Sequence, residues 1–179
     1  MTNESLWHVI GPGEKAPEEV NVIIETPRGS RNKYEISKEH NGIVLDRVLH
    51  SSVVYPADYG LIPHTLYDDG DPIDVIVVMS FPTYPGIMLK ARPIGVMHMI
   101  DAGDKDNKII AVPSKDPAFS HVKSMDDLNP HLLKEFKNFF ETYKLLEGKK
   151  TSVDGFGSKE EAYEEIKQSI KVYKEKYPR

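Results

Sequence analysis

Four carboxylates, Asp68, Asp69, Asp71 and Asp74, crowd into seven residues of this chain, at a turn marked by Gly70 and Pro72, with an apolar run from Val75 to Met79 behind it. Like charges this close repel one another and weaken a fold unless something positive neutralises them. Hard divalent cations such as Mg2+, which take oxygen ligands, do this well. The plain alternative is a solvated acidic turn. A second acidic stretch, Asp101 to Lys108, contributes Asp101, Asp104 and Asp106. By itself it reads as a polar hairpin connection, but a metal site needs several such loops to converge.

Further carboxylates stand at Glu25 and Glu35, and cations at Arg28, Lys33, Arg47, Lys108 and Lys144. Carboxylates facing a set of Lys and Arg suit a polyphosphate held with Mg2+. The metals bridge protein carboxylates to phosphate oxygens, and the basic side chains meet the remaining charge. Water held between two metals is acidified enough to attack at neutral pH. The chain has no P-loop, no G-x-G-x-x-G and no Ser or Cys nucleophile motif, so a metal-activated water is the economical choice. A calcium EF-hand loop counted from Asp69 fails, because its fifth, sixth and twelfth positions hold Ile73, Asp74 and Ser80. A D-x-D metal site of the glycosyltransferase kind stays open on the motif alone, although the chain is short for a nucleotide-sugar fold.

Composition narrows the setting. At 179 residues the chain is read as a single domain, 1–179, long enough to close a sizeable core. A net charge of -5 and no basic block argue against nucleic acid as a partner. Cysteine is absent, so a metal must be held by Asp, Glu, His or backbone oxygen. The amino terminus has neither a basic start nor a long apolar run, and no stretch reaches the length of a membrane span. A soluble cytoplasmic protein, with no membrane partner, is expected.

The elements that must position these groups follow in order. Residues 1–19 read as an irregular arm carrying Trp7. Strands are expected at Val20–Glu25, Lys33–Ser37, Ile43–Val48, Val53–Tyr55, Asp74–Met79 and Lys108–Val112. Asn41-Gly42 signals a hairpin. Met88–Ile100 reads as a strand pair or one bent strand, with Pro93 and Gly95 at a kink or bulge. From Asn129-Pro130 the period changes: Leu132, Leu133, Phe136, Phe139, Phe140 and Tyr143 mark a helix that Gly148 stops. Lys149–Asp154 is one more strand candidate, and Ser158 with Glu161 opens a second helix with a capping box. Ala162, Ile166, Ile170 and Tyr173 face inward. A mainly β α+β protein with a small barrel and two later helices fits this order.

Asp69-Gly-Asp-Pro-Ile-Asp-Val75 satisfies every position of the signature of the soluble family I inorganic pyrophosphatases, which this chain resembles. The likeness extends to Ile23-Ile-Glu-Thr-Pro27, Lys33-Tyr-Glu35, Asp46-Arg47, Tyr55-Pro-Ala-Asp-Tyr-Gly60, Arg92-Pro-Ile-Gly95, the Asp101 to Lys108 loop and Phe139-Phe-Glu-Thr-Tyr-Lys144. Ala102 stands where some relatives carry an acidic residue, and the first nineteen residues are poorly anchored by the match. The resemblance implies hydrolysis of pyrophosphate to two phosphates with several Mg2+ ions per site. It implies metal ligands at Asp69, Asp74 and Asp106, a further metal at Asp101 with Asp106, and an acidic contribution from Glu25. Asp71 matches the general base. Lys33, Arg47, Tyr143 and Lys144 match phosphate-binding groups, with Tyr59 placed beside them on the substrate, while Glu35, Tyr55 and Lys108 match supporting residues. The implied fold is a five-stranded OB-like closed barrel with helices beside it, and the implied assembly is a homo-oligomer, the hexamer of many bacterial and archaeal members. A metal-dependent hydrolase of nucleoside polyphosphates and a non-catalytic OB-like module are the alternatives; the module lacks the basic, aromatic-lined groove it would need.

Overall fold

Strand β1 (Val20–Thr26) is the hinge of the architecture, because it pairs antiparallel on one edge with β4 (Asp58–Leu61) and on the other with β6 (Met88–Asp101). From β4 the ladder continues to β5 (Asp74–Val77), then to β8 (Lys108–Pro113), then back to β6, so hydrogen bonds run in a ring through five strands. Every junction is antiparallel except β5 with β8, a parallel pair whose register sets Asp74 opposite Lys108. The short β7 (Asp104–Lys105) folds back on the end of β6, and β9 (Thr151–Gly157) pairs along β6. β2 (Asn32–Ile36) and β3 (Ile43–Val48) form a separate two-stranded ribbon. These features come from a computed structural model that describes residues 4–178.

The strands at the centre are buried on both faces, which is why they read as unbroken apolar runs. On β5 and β8 the residues Ile76, Ile110 and Val112 pack with Phe136, Phe139 and Phe140 of α2 (Pro130–Thr142). The alternate residues Val75, Val77, Ile109 and Ala111 pack with Ala162 and Ile166 of α3 (Lys159–Lys176). Period-two alternation therefore hands one face to each helix. Both helix starts follow the sequence signals: Asn129 accepts from His131 N, and Ser158 and Glu161 form the capping box. A register shift at Pro93–Gly95 bends β6 where a kink or bulge is expected.

Three local expectations are corrected. No strand forms at Val53–Tyr55; Pro56 interrupts it, Tyr55 instead exchanges backbone hydrogen bonds with Gly29 and Ser30, and the strand lies at Asp58–Leu61. The hairpin signalled by Asn41-Gly42 forms as the β2–β3 ribbon; its connection runs over 37–42, Gly42 lacks a positive φ, and Ser37 N closes the loop on Gly42 O at 2.9 Å. Gly148, with φ 72°, ends a 3-10 turn at Leu145–Glu147, whereas α2 has already stopped at Thr142. The arm is not wholly irregular either. Ser5 caps a one-turn helix, α1 (Leu6–Val9), and Trp7 is buried with Leu66 and Tyr173 while its Nε1 donates to Thr65 O at 2.9 Å. Residues 1–3 of that arm lie outside the described residues. No helix among the described residues is long and apolar enough to cross a membrane.

Candidate active site

The two acidic turns meet because of the β5–β8 register. Asp74 opens β5 and Lys108 opens β8, side by side, and Asp106 lies two residues before Lys108, in the link between β7 and β8. The Lys108 Nζ donates to Asp74 at 2.6 Å and to Asp106 at 2.7 Å, and its side chain is 2% exposed. Upstream of β5, Gly70 takes φ 88°, a conformation a side chain would strain, and Asp71 N donates to Asp69 Oδ1 at 2.9 Å. That turn presents Asp69 and Asp71 on the site side; Asp68 is exposed and does not line the cavity. Asp101 ends β6 and is paired with Lys144.

β1 and β2 supply the opposite wall. A Cβ on Gly60 would sit 2.0 Å from Ile23 O, so only glycine lets β4 press this closely on β1. That approach brings Tyr59 beside Glu25. Glu25 is buried, accepts from Ile36 N at 2.8 Å, and so ties β1 to β2. On β2, Lys33 lies 2.6 Å from Glu35 and 3.7 Å from Asp46. Tyr55, Tyr59 and Tyr143 pack with Phe139 and Phe140, with ring centroids at 4.8 Å for Tyr55–Phe139 and 5.1 Å for Phe139–Tyr143. Burial holds all three phenols well above their usual titration range, so they remain hydrogen-bond donors.

Every residue to which the resemblance gives a role, except Arg47, lines one cavity of about 190 Å³, whereas Arg28, which donates to Met79 O and Ser80 O, and Asp104 lie outside it. Arg47 belongs to the adjoining ribbon, paired with Asp46 and lying 3.0 Å from Glu147; its Nη2 is buried without a hydrogen-bond partner. Three contributors escaped the sequence reading. Lys38, in the loop after β2, is ion-paired with Asp71. Trp7 lines a smaller adjoining cavity of about 60 Å³ with Glu25, Asp71 and Asp74. Glu147 meets Arg47. None carries a local motif, and only the fold brings them here.

Seven carboxylates but three lysines face the cavity. Burial first, then neighbouring carboxylates, push Asp106 upward against the lowering pull of Lys108. Asp69 is likewise raised, by burial and by Asp71 and Asp74. Glu25 is pushed up to about 8, chiefly by burial, with Asp74 and Glu35 adding to it. Negative charge in excess of its partners is what a hard divalent cation relieves, so this donor set fits such an ion. Among the described residues no three carboxylates or imidazoles are already drawn into a metal clamp. Lysines occupy the places instead: Lys108 on Asp74 and Asp106, Lys144 on Asp101, and Lys38 on Asp71.

Glu25 gives a pH dependence. A carboxyl raised in the folded state from 4.5 to about 8 contributes stability that is complete below about 4.5 and is lost as pH rises through about 8. Metal-free protein is therefore expected to lose melting temperature across that window, and Glu25→Gln to flatten the loss. Melting curves in chelator at several pH values test this, and parallel slopes for the two proteins would count against it.

The inorganic pyrophosphatase family model matches residues 22–174. The chain belongs to the inorganic pyrophosphatase family. It is 53% identical over 172 residues to an inorganic pyrophosphatase of Picrophilus torridus, covering 96% of this chain and 97% of that one. It is 50% identical over 163 residues to one of Nostoc sp., covering 91% and 96%. The crystal structure of the Thermus thermophilus inorganic pyrophosphatase superposes with a TM-score of 0.90 at 41% identity, covering 92% of this chain and 97% of that chain. The pyrophosphatase match therefore takes in both acidic turns, the β2–β3 ribbon and α2, the elements that enclose the cavity.

Proposed function

We propose that this chain hydrolyses inorganic pyrophosphate to two orthophosphates by direct attack of water, with residues 1–179 acting as one pyrophosphatase domain. The observation that carries the reading is the single cavity in which an acidic wall faces Lys33, Lys144 and the tyrosines, in a chain of this family. Mg2+ ions, several per site, held by Asp69, Asp74, Asp106, Asp101 and Glu25, would neutralise phosphate charge and acidify the attacking water. Asp71, half-exposed between these ligands, takes the proton from that water. Lys33, Arg47 and Lys144 hold phosphate oxygens by charge-assisted hydrogen bonds, and Tyr59 and Tyr143 add neutral donors. These groups are fixed before reaction and meet the charge that moves to the leaving phosphate. Glu35 and Lys108 set the positions of Lys33 and Asp74, and Tyr55 packs against Tyr59 and Phe139.

The five-strand ring is read as an OB-like closed barrel. A homo-oligomer, the hexamer, is supported by apolar side chains that the single chain leaves open: Ile43, Val44, Leu45 and Val48 on the ribbon, and Ile87 and Met88. Ile43 lies against the turn that leads into Ile87 and Met88, since a Cβ on Gly86 would stand 2.8 Å from Ile43 Cδ1. The cytoplasm is the proposed compartment. The competing reading, hydrolysis of nucleoside polyphosphates, gains little from the cavity, whose wall is carboxylate and ammonium beside the three phenols around a volume of about 190 Å³. Phosphate release from pyrophosphate and from ATP, compared at equal Mg2+, separates the two. Pyrophosphate is expected to be strongly preferred, and equal or faster release from ATP would overturn the assignment.

A further inference from the structure

One carboxylate far along the chain from both acidic turns touches the residues that hold them. Glu165 lies on α3, and its side chain is 17% exposed. Its Oε1 accepts from Lys105 Nζ at 2.8 Å and from Asn107 Nδ2 at 3.0 Å. Its Oε2 accepts from Tyr67 OH at 2.8 Å. Lys105 and Asn107 are the two residues flanking Asp106. Asn107 is fastened further, because its Oδ1 accepts from Met99 N at 3.1 Å while Asp106 N donates to Met99 O at 2.9 Å. Tyr67 brackets the other turn: its N donates to Asp71 O at 2.7 Å and its O accepts from Gly70 N at 3.0 Å. The Lys105 ammonium also lies 5.4 Å from the Tyr67 ring centroid, closing the contact between the two turns. One helical turn beyond Glu165, Ser169 O accepts from Leu66 N at 3.0 Å, so α3 holds this segment at two points.

We propose that Glu165 is a positioning residue that sets the distance between the Asp69–Asp74 turn and Asp106, and thereby the affinity of the site for Mg2+. The inference rests on the metal reading of those aspartates. A carboxylate accepting from both sides of a gap spanned by ligands acts as the outer partners of metal ligands do. Losing a group bonded to a ligand itself typically costs about 10–100-fold in metal affinity or activity, and Glu165, which holds the residues beside the ligands, belongs at the lower end. Burial alone would raise the Glu165 carboxyl, but hydrogen bonds from Lys105, Tyr67 and Asn107 outweigh it and hold the group ionised. A fold role alone predicts something different: lower stability with the metal response unchanged.

The test is direct titration of the purified full chain with Mn2+, followed by electron paramagnetic resonance, together with the Mg2+ concentration that half-raises the melting temperature. Glu165→Ala is expected to move both midpoints upward by roughly tenfold. Glu165→Gln, which can still accept from Tyr67, is expected to recover part of the shift. Glu164→Ala, an exposed neighbour on the same helix, is expected to leave both midpoints in place. Should Glu165→Ala fail to fold, Tyr67→Phe, which removes one hydroxyl, is expected to shift both in the same direction by less. A folded Glu165→Ala, or Tyr67→Phe in its place, with wild-type midpoints and only a lower melting temperature overturns the inference. Asp74→Asn separates the two levels. If it weakens Mn2+ binding and Glu165→Ala does not, the positioning role alone fails; if neither does, the metal reading fails with it.

Discussion

Asp71→Asn is expected to lower the turnover of pyrophosphate by about 10²–10⁴-fold, the usual worth of a positioned proton acceptor. The substitution keeps the shape of the side chain and removes its ability to take a proton. Asp71 stands on a turn whose backbone is fixed by other groups: Gly70 N donates to Tyr67 O, and Tyr67 N donates to Asp71 O. Its own ion pair is with Lys38, and both side chains are about half open to water, with exposures of 45% and 54%. A pair so exposed contributes only about 0–1 kcal/mol to the fold. The loss should therefore fall on kcat, with melting temperature and secondary structure nearly unchanged. Steady-state kinetics beside a melting curve decide it, and wild-type turnover would remove Asp71 from the base position.

The second large effect is on stability. Lys108 is enclosed between Asp74 and Asp106, which are themselves 25% and 17% exposed. Burial would push its ammonium toward losing the proton, but the two carboxylates outweigh this and hold it charged. Lys108→Met removes the ammonium and leaves the carboxylates facing one another. Breaking a buried pair from one side costs about 3–5 kcal/mol, on the order of 10 °C in melting temperature for a chain of this size. That drop is expected in chelator. Mg2+ should restore much of it, because the cation takes over the neutralising charge. An unchanged metal-free melting temperature would show that Lys108 does not carry this role.

Much of this site was legible because its residues sit in strands and turns with strong local signals. The acidic turn is marked by Gly70 and Pro72, and the second acidic stretch, Asp101 to Lys108, stands between two strand signals. The helices were legible for the same reason: Asn129-Pro130 and the Ser158 capping box are local, and the Phe136, Phe139 and Phe140 stripe follows helical period. What stayed hidden depends on tertiary contact. The tightness of the β1–β4 pair at Gly60 comes from Ile23 O, thirty-odd residues away in sequence. Val53–Tyr55 has the composition of a strand, yet Tyr55 spends its backbone bonds on the turn at Gly29 and Ser30. Trp7 is fixed by Thr65 and Tyr173, so its arm could not be placed from its own Gly and Pro content. The pairing of Lys144 with Asp101 was equally invisible, since one follows the end of α2 and the other ends β6.

The acidic floor is expected to become competent only when a divalent cation offsets its charge. Phosphate release from pyrophosphate, measured as free Mg2+ rises from zero in chelator, tests it most directly. Release should be negligible without the cation and should appear as Mg2+ saturates the carboxylates. Turnover that persists at full rate in chelator, or that fails to appear at any Mg2+ concentration, would show that these carboxylates do not work through a bound cation.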